Sequence, residues 1–319
     1  MRTALKERLF LRRAAPGEDD VFDPALFAKI DRMRLRIERA YGARAGETPV
    51  RGSTQESGIE VESFKSYAPG DDIRYVDWSA VGRLDQLLTR RFVAEREIPV
   101  HLLLDASASM GVPAADGKFV FARRLVAALA YIALNNNDPV RVAALRQDTD
   151  GPGVTESPLL RHRGRYLQLK PFLSRIAPAG RTALGEGIET YLERRRERGV
   201  ALVVSDFLVP TEIYEQALGR LRARRLRVLA VQVVGREERD LRGVGGRLRL
   251  RDSETGALRE VVLSGADRRR YAEAFAARID ALRDFCHRSG IAHAVACSTD
   301  AIEHCLTKIL PASGVLRLR

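Results

Sequence analysis

Residues 98–110 read Ile-Pro-Val-His-Leu-Leu-Leu-Asp-Ala-Ser-Ala-Ser-Met. The first seven are almost wholly apolar, as in a strand buried on both faces of a parallel sheet. The run stops at Asp105, which sets that carboxylate at the carboxyl edge of the sheet, where open α/β sheets bind ligands. Side chains at i, i+2 and i+4 leaving a strand can point one way. Asp105, Ser107 and Ser109 then form a carboxylate and two hydroxyls, hard oxygen donors suited to Mg²⁺ or Mn²⁺. Alone, the run is better explained by Ser and Asp capping the next helix.

Outward from this strand, apolar runs alternate with amphipathic stretches. Strands are expected over residues 140–145, 200–205 (Val-Ala-Leu-Val-Val-Ser), 226–233 and 291–296, and helices over 117–135, 166–176, 184–198, 212–224, 267–288 and 300–310. Residues 244–251 and 258–263 read as a hairpin around Glu254-Thr255-Gly256, while Gly151-Pro152-Gly153 and residues 243–246 read as turn punctuation. The alternation predicts an α/β domain over residues 98–310, a doubly wound, mostly parallel sheet, with residues 311–319 as a tail. Residues 1–97 differ and read as an α+β extension. They offer a helix over 24–39 capped by Asp23, a Gly-, Ser- and Thr-rich loop over 46–58, and a strand-like alternation through Leu88, Arg90, Phe92 and Ala94.

Composition narrows the function. With 45% hydrophobic residues in 319, the chain can bury a proper core. No stretch approaches 18 uninterrupted apolar residues, so no membrane span is expected, and the first 20 residues lack the apolar centre of a signal peptide, which places the chain in the cytosol. The net charge of +12 raises nucleic acid as a partner, but only six of the 54 basic residues are Lys. Such a skew fits a GC-rich genome better than a phosphate-binding surface. The Arg runs are interspersed with acids, without aromatic stacking partners, so nucleic-acid binding is set aside.

Two features strengthen the Asp105 loop as a cation site. The strand over 200–205 also ends in an aspartate, Asp206, at the same edge. Between the two, Gly180-Arg181-Thr182-Ala183-Leu184-Gly185 presents the Thr182 hydroxyl just before a helix. Octahedral Mg²⁺ takes six oxygens at about 2.1 Å and keeps some waters. Two serines, a threonine and two carboxylates, some acting through water, leave a position open for a ligand.

Competing chemistries are poorer fits. Cys286, Cys297 and Cys305, with His287, His293 and His304, follow no zinc-ligand spacing and read as small buried thiols. No GxSxG elbow or phosphate-binding GxxxxGK[ST] loop occurs, and His101 lies within the strand, away from its ligand edge. A metal-dependent hydrolase built on Asp105 and Asp206 is the alternative, but hydrolases favour carboxylate-rich ligand sets with a general base.

At these residues the sequence resembles the von Willebrand factor A fold with its metal-ion-dependent adhesion site. Asp105, Ser107 and Ser109 match the DxSxS of the first loop, Thr182 the threonine of the second, and Asp206 the aspartate of the third. The resemblance implies that the hydroxyls touch the metal, that the aspartates act mainly through water with Asp206 able to bind directly in one state, and that a partner's carboxylate fills the open position. It also implies one antiparallel edge strand, at residues 140–145 or just after.

Upstream, Tyr67-Ala68-Pro69-Gly70-Asp71-Asp72-Ile73-Arg74, then Asp77-Trp78 and Glu95, is similar to the hallmark of the bacterial family called domain of unknown function 58. The matched residues within 64–95 are Phe64, Tyr67, Gly70, Asp71, Arg74, Asp77, Trp78, Arg83 and Glu95. That resemblance implies a non-enzymatic accessory of a MoxR-type AAA+ ATPase and its client, in chaperone-like or cofactor-insertion work. Physically, the segment reads as a tight turn with Asp71 and Asp72 capping local N–H groups and Trp78 in the core. Its functional reading is an interface of Asp71, Asp72, Arg74, Asp77 and Trp78, with the indole as anchor.

Overall fold

The computed structural model describes residues 22–33, 35–37, 60–69, 73–84, 86–93, 98–148, 151–239, 241, 245–314 and 316–318. The chain divides into two compact units, residues 41–97 and residues 1–40 with 98–319. The larger begins with α1 (Pro24–Met33) and β1 (Leu35–Ile37), and the smaller holds β2 (Glu60–Ser66), α2 (Trp78–Leu84) and β3 (Leu88–Val93). The larger resumes with β4 (Val100–Asp105), α3 (Lys118–Asn135), β5 (Val140–Asp148), β6 (Gly151–Glu156), α4 (Leu169–Arg175), α5 (Leu184–Arg194) and β7 (Val200–Ser205). Then come α6 (Thr211–Ala223), β8 (Arg227–Val234), α7 (Arg236–Arg239), β9 (Gly246–Arg251), β10 (Leu258–Leu263), α8 (Gly265–Arg288) and β11 (Ala292–Cys297). The chain closes with α9 (Ile302–His304), α10 (Leu310–Ala312) and β12 (Leu316–Leu318).

Six strands form the central sheet in the order β11-β8-β7-β4-β5-β6. Every neighbouring pair is parallel except β5 with β6. This is the expected doubly wound α/β sheet, and the antiparallel edge strand lies just after residues 140–145. Gly151-Pro152-Gly153 is not a free turn: it opens β6, with Pro152 opposite Gln147. A proline has no N–H for the ladder and is tolerated there because β6 is an edge strand.

Alternation along the strands builds a core on each face. Leu102, Leu104, Val142, Val204 and Val231 face α3 and α1, whereas Leu103, Ala143, Leu145, Val203 and Ala230 face α5, α6 and α8. All six residues of β4 and all six of β7 are buried, as two covered faces require. Helix α3 is buried nearly all round, so apolar residues fill most of its positions rather than one stripe, with Lys118, Arg123 and Arg124 as its charged members.

The N-terminal segment departs from the expected split at residue 97. Phe22, Leu26 and Ile30, spaced for one helix face, join the core beside α3. The Asp31 carboxylate accepts from Tyr131 Oη (3.0 Å), Asn135 Nδ2 (2.8 Å) and Arg163 (2.9 Å). Helix α1 therefore belongs to the larger unit. It ends at Met33, short of residue 39, because Leu35-Arg36-Ile37 alternates with the two-residue period of a strand and pairs antiparallel with Leu316-Arg317-Leu318. The expected tail thus supplies β12.

In the smaller unit, β2 and β3 pair antiparallel with an irregularity between Val61 and Ser63. Asp77 caps α2, its Oδ1 accepting from Ser79 N (3.1 Å) and Ala80 N (3.4 Å). Trp78 is 65% exposed, so the expectation of a core indole is overturned: at the first position of α2 its side chain leaves on the solvent side. Gly70, Asp71, Asp72, Glu95 and the expected loop at 46–58 lie outside the described residues.

Candidate metal centre at the carboxyl rim of the sheet

Neighbouring strands β4 and β7 are in register at Leu104 and Val204, which sets Asp105 level with Ser205 and Asp206 just beyond. Asp105 is 1% exposed and both its oxygens are occupied. Oδ1 accepts from Ser107 N (3.0 Å) and Oδ2 from Ser205 Oγ (2.6 Å). Burial, then the nearby charge of Asp206, pushes the Asp105 carboxyl up to about 6, although the bonds from Ser205 and Ser107 act the other way. Ser107 Oγ and Ser109 Oγ stand 3.0 Å apart, so the two hydroxyls of the loop converge.

Backbone bonds bring the Thr182 loop to the same rim. Ala179 N donates to Ala106 O (3.0 Å), Ala108 N to Gly180 O (3.1 Å) and Gln147 N to Arg181 O (3.0 Å). Gly180 has φ +70°, and a Cβ there would lie 1.9 Å from Gln147 O. Only glycine allows both that backbone conformation and that approach. Thr182 N donates to Glu254 Oε1 (3.1 Å), and Thr182 Oγ1 donates to the same oxygen.

Asp206, 2% exposed, completes the rim. Its Oδ1 accepts from Leu208 N (3.1 Å) and its Oδ2 from Lys118 Nζ (3.1 Å). Phe207 takes a left-handed φ of 54°, and its N–H returns to Ser205 Oγ (3.0 Å). Lys118, fully buried at the start of α3, also donates to Glu238 Oε1 (2.9 Å). Desolvation pulls the Lys118 ammonium down, but the Asp206 and Glu238 charges outweigh it and the net shift is upward. Glu238 is held on α7, where Asp116 accepts from Glu237 N (2.9 Å) and Glu238 N (3.1 Å).

Asp105, Ser107, Ser109 and Asp206 thus gather at one corner, with the Thr182 loop bonded to theirs. Lys118, Glu238, Ser205 and Glu254 escape sequence reasoning. Lys118 had a faint signal: it is one of six lysines and opens a helix whose next four residues, Phe-Val-Phe-Ala, are apolar. The other three show no local pattern that distinguishes them from surface polar residues.

The donor chemistry fits a hard divalent cation. All candidate atoms are oxygens, the Ser107 and Ser109 hydroxyls already converge, and the Asp105 and Asp206 carboxylates lie at the same rim. Among the described residues no group of three or more His, Cys, Asp or Glu is arranged to hold a metal, so the donor set rests on hydroxyls. The two zinc-candidate thiols that are buried, Cys286 and Cys305, are each pushed up to about 12 by desolvation, which keeps them protonated.

A family model described as "Protein of unknown function DUF58" matches residues 63–281. The chain belongs to the DUF58 family. This DUF58 chain is 30% identical over 275 residues to an uncharacterized protein of Mycobacterium tuberculosis, Rv1480, covering 83% of this chain and 82% of the relative. Among solved structures it is similar to a von Willebrand factor type A protein from Catenulispora acidiphila, at 14% identity and a TM-score of 0.37, covering 68% of this chain and 41% of that one. It is also similar to the conserved hypothetical protein BatB from Bacteroides thetaiotaomicron, at 16% identity and a TM-score of 0.34, covering 60% and 99%. No helix among the described residues of the DUF58 chain is long and apolar enough to cross a membrane.

Proposed function

We propose that this chain is a non-enzymatic protein–protein interaction module whose sheet rim captures a partner's carboxylate through Mg²⁺ or Mn²⁺. When bound, the cation would supply an electrophilic position for an anionic oxygen. The Ser107, Ser109 and Thr182 hydroxyls would hold it directly. Asp105 and Asp206 would act mainly through water, as the resemblance implies. At Asp206 the Lys118 ammonium, 3.1 Å from Oδ2, would compete with a cation for direct contact. The observation that carries this reading is the 3.0 Å convergence of the Ser107 and Ser109 hydroxyls beside the buried Asp105 carboxylate.

Hydroxyl ligands add no negative charge to the cation, which leaves it attractive to an anionic side chain. Both oxygens of Asp105 and of Asp206 accept hydrogen bonds, and His101, inside β4, is bonded to Tyr191 Oη of α5 (2.6 Å) rather than turned to the rim. The smaller unit supports the same class of function. Trp78, Ile73, Leu84 and Phe64 are all more than half exposed, and exposed aromatic anchors mark protein interfaces. Arg74 is exposed beside them, while Asp77 is turned inward as a cap. The proposed partner is a MoxR-type AAA+ ATPase, or its client.

The test is a titration of that ATPase with Mg²⁺ and then with EDTA, on the wild type and on Asp105→Ala. Chelation is expected to lower affinity on the order of tenfold or more, as loss of one charge-assisted contact would. Asp105→Ala should reproduce that loss and respond no further to EDTA. Equal affinities in all four conditions would refute the metal bridge.

A further inference from the structure

Among the described residues the hairpin of β9 and β10 pairs with no other strand, and its residues Leu250, Leu258 and Val262 are exposed. A lone two-stranded hairpin is marginal in water, so it needs an anchor. Its tip is rigidly built. Asp252 Oδ1 accepts from Glu254 N (2.9 Å) and Thr255 N (2.6 Å), Asp252 N donates to Ala257 O (2.8 Å), and Gly256 supplies a φ of +72°. Those bonds to Thr255 and Glu254 hold the Asp252 carboxyl below the usual carboxylate range, with the Arg181 charge adding to them. This turn presents one carboxylate, Glu254, to one residue of the rim. Both polar hydrogens of Thr182, on N and on Oγ1, point at Glu254 Oε1.

We propose that Glu254 is an internal ligand of the rim: its carboxylate takes the place offered to a partner's carboxylate and holds the site closed. The inference rests on the cation-dependent capture proposed above. Thr182 engages an acidic side chain from outside the candidate set, and that side chain comes from the same chain. A tethered carboxylate competes at a high effective concentration, so a partner must displace the hairpin, and its apparent affinity falls by the fraction of molecules that are open. The fold thereby admits only a partner whose further contacts outweigh the latch.

The experiment compares the full chain as wild type, Glu254→Ala and Glu260→Ala. Glu260 lies on the same hairpin, paired with Arg249, and controls for loss of a hairpin charge. Two readouts are taken: hydrogen exchange of residues 246–263 without metal, and water-proton relaxation per bound Mn²⁺ with Mn²⁺ itself as the probe. Glu254→Ala should raise hairpin exchange on the order of tenfold and raise relaxation by admitting water to the bound ion, whereas Glu260→Ala should leave relaxation unchanged. Equal exchange and equal relaxation in wild type and Glu254→Ala would overturn the latch. If no variant binds Mn²⁺, the cation reading falls and exchange alone decides: faster exchange in Glu254→Ala upholds the latch, and unchanged exchange overturns it.

Discussion

His101 shows how much a single buried side chain can make stability depend on pH. It is 2% exposed within β4, and desolvation drops its imidazole to about 4. The unfolded chain takes up that proton near 6.5, the folded chain only near 4, so stability is complete above 6.5 and is lost as the pH falls through that window. From pH 7 to pH 5 the loss is about 2 kcal/mol per such histidine, and His293 adds a second. Asp105 works in reverse. Its raised value means that the folded state takes up a proton near 6 that the unfolded state refuses until about 4, so stability rises as the pH falls through that interval. Urea titrations at pH 7 and pH 5 should therefore show net acid destabilisation in the wild type. His101→Gln, which keeps an acceptor for Tyr191 Oη, should flatten that dependence; an unchanged slope would remove the imidazole as its source.

At the scale of elements, the loop between α4 and α5 decides whether the rim is assembled. Gly180→Ala would drive a methyl into Gln147 O and strain a left-handed backbone, at a cost on the order of 2 kcal/mol. The cheapest relief is to swing residues 179–182 away from residues 106–108. Mn²⁺ affinity, measured by electron paramagnetic resonance, should then fall at least tenfold while far-ultraviolet circular dichroism stays the same; unchanged affinity would mean that Thr182 is dispensable. The strands carrying Asp105 and Asp206 were legible because unbroken apolar runs ending in a carboxylate leave few other placements. The edge strand β6 was hidden by Gly-Pro-Gly, since turn chemistry and edge-strand chemistry use the same residues. Lys118 was hidden because its partners Asp206 and Glu238 stand 88 and 120 residues away.

For the whole molecule, the allegiance of α1 is the sharpest test of the architecture. Phe22 and Phe27 meet Tyr166 at centroid distances of 5.4 and 5.1 Å, and Leu26 is 3% exposed. Leu26→Ala should cost about 2–5 kcal/mol. Because the helix completes the larger unit's core, this loss should lower the main cooperative urea transition. A separate early transition, with the main midpoint untouched, would restore a division at residue 97.

Fold class, the order of the core elements and the rim positions of Asp105, Ser107, Ser109 and Asp206 follow from local patterning alone. Periodicity of two or 3.6 residues reports directly which side chains are buried and where a strand must stop. Long-range packing settled that α1 and β12 close the larger unit, that Trp78 faces outward, that Lys118 pairs with Asp206 and Glu238 and that Glu254 leans on Thr182. Those choices depend on which distant segments meet when the chain closes, and local patterning carries no record of a partner 72 residues or more away.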